Sequence, residues 1–161
     1  MNPKIEVERK QEVLKLYKAG IIYPIKHYTW VANLVPVRKK NGEIQLCVDL
    51  KGLNRVSLKD HYPLPPMEQI LNTMVGAERF SLLDGFSGYN QVWVKNEDQF
   101  KMAFTTKWGT FYFQRMPFGL SNVGETFQRT MDYAFGELVN KTVLVYLDDI
   151  TIFSHDRSSH V

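Results

Sequence analysis

Val143-Leu144-Val145-Tyr146-Leu147-Asp148-Asp149-Ile150-Thr151-Ile152-Phe153 is the stretch that decides how this chain is read. Its β-branched and aromatic residues predict two strands, Thr142 to Leu147 and Ile150 to Phe153, joined through Asp148-Asp149. Strand propensity disfavours aspartate, so two acids here cost stability unless they shape a turn or bind something. Taken alone, the pair is a turn-forming dipeptide.

A third acid changes the weight of the first two. Arg79 to Leu83 reads as a short apolar strand ending at Asp84. Gly85 and Gly88 then bracket an irregular turn, and Tyr89 to Val94 alternates like a strand. Acids delivered by two strand ends can meet at one sheet edge, where like charges repel. Divalent cations relieve that repulsion, and hard oxygen ligands suit Mg²⁺. Two ions ~4 Å apart can activate a hydroxyl and stabilise the leaving oxygen of an in-line phosphoryl displacement. Nucleotidyl transfer and phosphodiester hydrolysis both fit that geometry, and the acids alone do not choose.

The rest of the chain reads as mixed helix and strand. Residues from about Ile5 to Ala19 predict a helix with Val13, Leu14, Tyr17 and then Ile21 on its apolar stripe. Glu6 and Glu8 come early and Lys15 and Lys18 late, as the helix dipole prefers; Gly20 and Pro24 stop it. Val31 to Val37 and Glu43 to Leu50 predict a hairpin turning at Asn41-Gly42, with Arg38, Lys39 and Lys40 at its tip. Standing alone, those cations would be solubilising edge charge. After Pro63, Pro65 and Pro66 comes a helix from about Met67 to Val75, with Met67, Ile70, Leu71 and Met74 on one face. Strands Lys101 to Thr105 and Thr110 to Gln114 turn at Trp108-Gly109. A helix capped by Ser121 or Asn122 runs to about Leu138, with Phe127, Met131 and Phe135 as core.

Bulk composition bounds the answer. The 161 residues are 44% hydrophobic and 23% charged, ordinary for one globular domain and unlike a disordered chain. A formal charge of +3 tolerates a polyanionic partner without requiring one. The single cysteine, Cys47, excludes an intrachain disulfide and a cysteine zinc site, and predicts a small buried hydrophobe in a strand. No signal-peptide core opens the chain and no apolar run could cross a bilayer. A soluble, intracellular protein is expected, with a cytoplasmic particle and the nucleus both open.

Several blocks together resemble reverse transcriptases. Tyr146-Leu147-Asp148-Asp149 between apolar strands is similar to the Tyr-x-Asp-Asp signature. Phe80 to Asp84 followed by Ser87-Gly88-Tyr89-Asn90-Gln91 resembles the first catalytic block. Met116-Pro117-Phe118-Gly119-Leu120-Ser121-Asn122, then Thr126-Phe127-Gln128, resembles the loop-and-helix block. Cys47 to Asn54 and Tyr62-Pro63-Leu64-Pro65 resemble the fingers-to-palm block. In this order and spacing they identify the chain as similar to the polymerase of gypsy-type LTR retrotransposon Pol polyproteins.

The resemblance implies an α+β right-hand polymerase: fingers plus a truncated palm, with an antiparallel RRM-like palm sheet and helices packed on one face. Fingers would take residues 1–58 and 92–122, palm 59–91 and 123–161, with thumb and ribonuclease H absent. It implies RNA-directed DNA polymerase activity on an RNA or DNA template-primer with dNTPs, using two Mg²⁺ ions for which Mn²⁺ can substitute. Asp84 and Asp148 would hold both metals, with Asp149 beside them and the carbonyl of Gly85 as a further ligand. Tyr89 would be the steric gate against a ribose 2′-hydroxyl, and Phe118 and Gly119 would line the incoming nucleotide. Lys39 or Lys40 would reach the triphosphate.

Three positions depart from the family pattern. Gln45 stands where an arginine usually grips the nucleotide phosphates, a charge-assisted contact often worth ~1.5–3 kcal/mol. Lys51 replaces another arginine, and Glu125 a small residue. Gln45, Glu125 and the abrupt end after Phe153-Ser154 favour an alternative, a catalytically dead relic that at most binds nucleic acid weakly, and the isolated chain is expected to be poorly active or inactive. A simple RNA-binding module is disfavoured, because no aromatic-rich RNA-binding strand appears.

Overall fold

The computed structural model describes residues 3–38, 44–84 and 88–160, and the side chains of all of these except 3, 4, 36, 38, 44–46, 84 and 159. In chain order the elements are α1 (Pro3–Lys18), β1 (Ile22–Pro24), β2 (Ala32–Arg38), β3 (Ile44–Val48), α2 (Lys51–Val56), α3 (Met67–Met74) and β4 (Arg79–Asp84). They continue with α4 (Asn96–Gln99), β5 (Ala103–Thr106), β6 (Gly109–Phe113), α5 (Val123–Phe135), β7 (Val143–Tyr146) and β8 (Asp149–Ser154). The class is α+β. Among the described residues no helix is long and apolar enough to cross a membrane.

The chain divides into two compact units, residues 1–58 with 89–121 and residues 59–88 with 122–161. The first is built on a five-stranded sheet in the order β1-β6-β5-β2-β3. Its pairs are antiparallel except β2 with β5, where Ala32 lies opposite Phe104. Val13, Ile22, Ala32, Leu50, Met102, Phe104 and Phe113 form its core. Helix α1 ends at Gly20 (φ +68°), a left-handed position that costs glycine nothing, with the Ile21 amide donating to the Leu16 carbonyl. Of the expected stripe only Val13 is buried; Leu14 and Tyr17 are exposed, and Leu16 packs inward in their place.

The second unit holds a three-stranded antiparallel sheet in the order β4-β8-β7. Ile70 of α3, Leu144 and Phe153 form its core, with Met74 packed against them. Met67 and Leu71, expected on that face, are exposed.

Several other elements differ from what the sequence predicts. Residues 89–94 do not form a strand: Gly88–Gln91 is a 3-10 turn, with the Val92 amide bonded to the Tyr89 carbonyl, and only Trp93 makes a bridge, to Arg115. A local i to i+3 hydrogen bond outweighs a short alternation of apolar residues. Cys47 lies in β3 but is half-buried. Asn122 precedes α5 without capping it by side chain, because its Oδ1 accepts from the Asp60 amide instead. The Asn41-Gly42 turn lies outside the described residues.

Candidate active site

In the second unit, the β7–β8 hairpin is closed by Leu147 and Asp148, one residue earlier than the sequence suggests. Asp149 is therefore the first residue of β8, and because β8 is the central strand, Asp149 has a partner on each side. Tyr146 of β7 lies opposite it on one flank and Asp84 of β4 on the other. Antiparallel partners stand ~4.5–5.5 Å apart between Cα atoms, so the backbones of Asp84 and Asp149 are immediate neighbours. Asp148 follows Leu147 in the turn; its side chain is half-buried and that of Asp149 is exposed.

The turn has an unusual backbone. Leu147 has φ +56°, a left-handed conformation that suits glycine. Two contacts hold it there. Gln128 of α5 accepts from the Leu147 amide through Oε1 (2.9 Å) and donates from Nε2 to the Val145 carbonyl (3.0 Å). The Leu147 side chain lies over Gly124, where a Cβ would come within 2.9 Å of Leu147 Cδ2. Nearby, Gly88 faces the Phe127 ring, and a Cβ there would meet Phe127 Cζ at 2.7 Å.

In the first unit, Tyr89 is buried, with 7% of its surface exposed, and its ring meets Phe118 edge-on at 5.0 Å between centroids. Phe118 itself is exposed. Gly119 (φ +95°) is pinned by Asn54 of α2, which donates to the Gly119 carbonyl (2.7 Å) and accepts from the Ser121 amide (2.9 Å). The Arg115 guanidinium lies 3.6 Å from the centroid of the Trp93 ring and donates to the Gln91 carbonyl (2.8 Å).

The expected site residues therefore divide by unit. Asp84, Asp148 and Asp149 belong to the second, and Tyr89, Phe118 and Gly119 to the first. Lys39, Lys40, Gly85 and the side chain of Asp84 lie outside the described residues. Among the described residues no three His, Cys, Asp or Glu side chains form a metal-binding group. The residue types still suit a hard divalent cation, since Asp148 and Asp149, consecutive at the turn, carry the oxygen ligands Mg²⁺ takes.

Asn54, Gly124 and Gln128 were not anticipated as supports. An asparagine inside a helix is unfavourable unless its side chain is used, which is a usable signal for Asn54. Glutamine is an ordinary helix former, so nothing local marks Gln128.

The family described as "Reverse transcriptase (RNA-dependent DNA polymerase)" matches residues 37–161. The chain is 40% identical over 164 residues to the retrovirus-related Pol polyprotein from transposon opus of Drosophila melanogaster, covering 99% of this chain and 16% of that protein. It is 38% identical over 160 residues to the Pol polyprotein from transposon gypsy of the same organism, covering 93% of this chain and 15% of that protein. The chain thus spans about one sixth of the length of these relatives. Among solved structures, the foamy viral protease-reverse transcriptase in complex with RNA/DNA hybrid superposes with a TM-score of 0.85 at 21% identity, over 99% of this chain and 21% of that one. That likeness carries the fold, and the family match over most of the chain carries the kinship. The chain belongs to the reverse transcriptase (RNA-dependent DNA polymerase) family, and the relatives it is similar to are Pol polyproteins of gypsy-type retrotransposons.

Proposed function

We propose that this chain carries the nucleotidyl-transfer site of a retrotransposon reverse transcriptase, extending a primer 3′-hydroxyl with dNTPs on an RNA or DNA template. The observation that carries it is the pairing of Asp84 with Asp149 across β4 and β8, beside Asp148 in a fixed turn. Asp84 and Asp148 would hold two Mg²⁺ ions, with Asp149 and the Gly85 carbonyl completing the oxygen set. What magnesium supplies when bound is activation of the 3′-hydroxyl for in-line attack on the α-phosphate and stabilisation of the leaving pyrophosphate. Tyr89, its ring braced by Phe118, would stand where a ribose 2′-hydroxyl clashes and so favour dNTPs. Phe118 and Gly119 would line the nucleotide, with Asn54 holding the loop's backbone. Lys39 or Lys40 would meet the triphosphate, and neighbouring cations the template phosphates. The first unit would serve as fingers and the second as palm.

Gln45 and Glu125 favour a second reading, a relic that binds nucleic acid without chemistry. A primer-extension assay on a homopolymer template with Mg²⁺ separates the two. Slow, distributive incorporation that disappears in Asp148→Asn is the expected result. Binding of the primer-template with no incorporation above that variant would establish the relic reading instead.

A further inference from the structure

We infer that Gln128 is a positioning residue, which fixes the Leu147-Asp148 turn by acting as a surrogate strand on the open edge of β7. The inference rests on the reading of Asp148 and Asp149 as metal-holding acids.

Among the described residues β8 is the one strand paired with β7; on the other edge the Asn140 amide bonds the Val143 carbonyl, and beyond it Val145 and Leu147 have no strand partner. Buried backbone groups left without partners are costly. The Gln128 amide supplies two partners at once, accepting from the Leu147 amide and donating to the Val145 carbonyl, which is the pattern a neighbouring peptide unit would present. Leu147 is the one residue of the turn with a positive φ, so this bond holds the backbone where it is least favourable.

The amide's own orientation is fixed in turn. Its Nε2 also donates to Asp132 Oδ1 (3.1 Å), and Asp132 Oδ2 accepts from the Tyr62 hydroxyl (2.8 Å). A flipped amide would set its oxygen against the Val145 carbonyl and the Asp132 carboxylate, three acceptors facing one another. Gln128 is 1% exposed, so water does not compete for either bond. The chain of contacts runs from Tyr62 through Asp132 and Gln128 to the residue preceding Asp148, all inside one unit.

The test is amide hydrogen exchange on this chain with no metal or nucleic acid present, comparing Leu147 with Ile152 of the same sheet. In Gln128→Met, which keeps volume and loses both bonds, Leu147 exchange should rise about tenfold or more while Ile152 stays within about twofold. Gln128→Glu keeps the acceptor for Leu147 but places a carboxylate against the Val145 carbonyl, and should loosen the same amide. Tyr62→Phe, a milder change that leaves the buried amide in place, should give a smaller rise confined to Leu147. Unchanged exchange at Leu147 in all three variants, or a rise shared equally by Ile152, would overturn the inference. Mn²⁺ added to the wild type then addresses the metal reading separately. Broadening at residues 148 and 149 that weakens in Gln128→Met supports positioning of the acids, whereas broadening of equal strength in the two proteins overturns it. A wild type with no broadening there removes the metal premise and the inference's catalytic meaning with it.

Discussion

Leu147 shows how much structure one residue of this site requires. A left-handed backbone costs a residue with a β-carbon about 1–2 kcal/mol, and here that cost is offset by the Gln128 hydrogen bond and by packing on Gly124. Gly88 is the complementary case, where a missing side chain is what matters. Its absent Cβ leaves room for the Phe127 ring, which is fully buried and has nowhere to retreat. Gly88→Ala is therefore expected to destabilise the fold by ~1–3 kcal/mol, read as a lower urea midpoint at unchanged slope. An unaltered midpoint would mean the ring moves aside freely and that the packing argument is mistaken.

At the scale of elements, α5 organises the second unit through its polar face as much as its apolar one. Arg129 donates to both carboxylate oxygens of Asp60 (2.8 and 2.7 Å) and lies 4.6 Å from the centroid of the Tyr62 ring. Hydrogen bonds from Arg129 hold the Asp60 carboxyl below the ordinary carboxylate range against a smaller opposing effect of desolvation, with the Arg129 charge and the Tyr62 amide adding to them. A depressed folded pKa contributes stability above the unfolded value of ~3.9 and loses it as pH falls through the folded value. The thermal midpoint of the wild type should exceed that of Asp60→Asn near neutral pH, and the gap should close below about pH 4. A gap constant across that range would place the effect of Asp60 elsewhere.

The same elements show what was legible in the sequence. The acidic hairpin could be read because a third acid, Asp84, ends another apolar strand and because the family blocks surround both. The turn was misplaced by one residue because Leu147 carries no left-handed signal; tertiary contacts from Gln128 and Gly124 create it. Helix α2 escaped notice because its six residues, Lys51 to Val56, are too few to display a helical stripe. Exposure of Leu14, Tyr17, Met67 and Leu71 could not be foreseen either, since periodicity names a face but not how much of it the neighbouring sheet covers.

Across the whole molecule, the chain enters the second unit at residue 59, returns to the first at 89 and leaves it again at 122. The residues proposed to meet the nucleotide and those proposed to hold the metals are thus carried by different units. The formal charge of +3 is modest, so affinity for a nucleic acid would depend on where cations cluster. Replacing Lys39 and Lys40 together by alanine should weaken oligonucleotide binding and reduce the slope of log affinity against log salt by about 1–2. An unchanged slope would remove the hairpin tip from the phosphate-binding surface.

Nucleotidyl transfer at this site requires that residues 84, 148 and 149 share a divalent ion. Backbone amide spectra recorded as Mn²⁺ is added, in the wild type and in Asp148→Asn, test that directly. Selective broadening at these three positions, abolished by the substitution, is the predicted result. Broadening that is absent there, or that persists undiminished in Asp148→Asn, would contradict it.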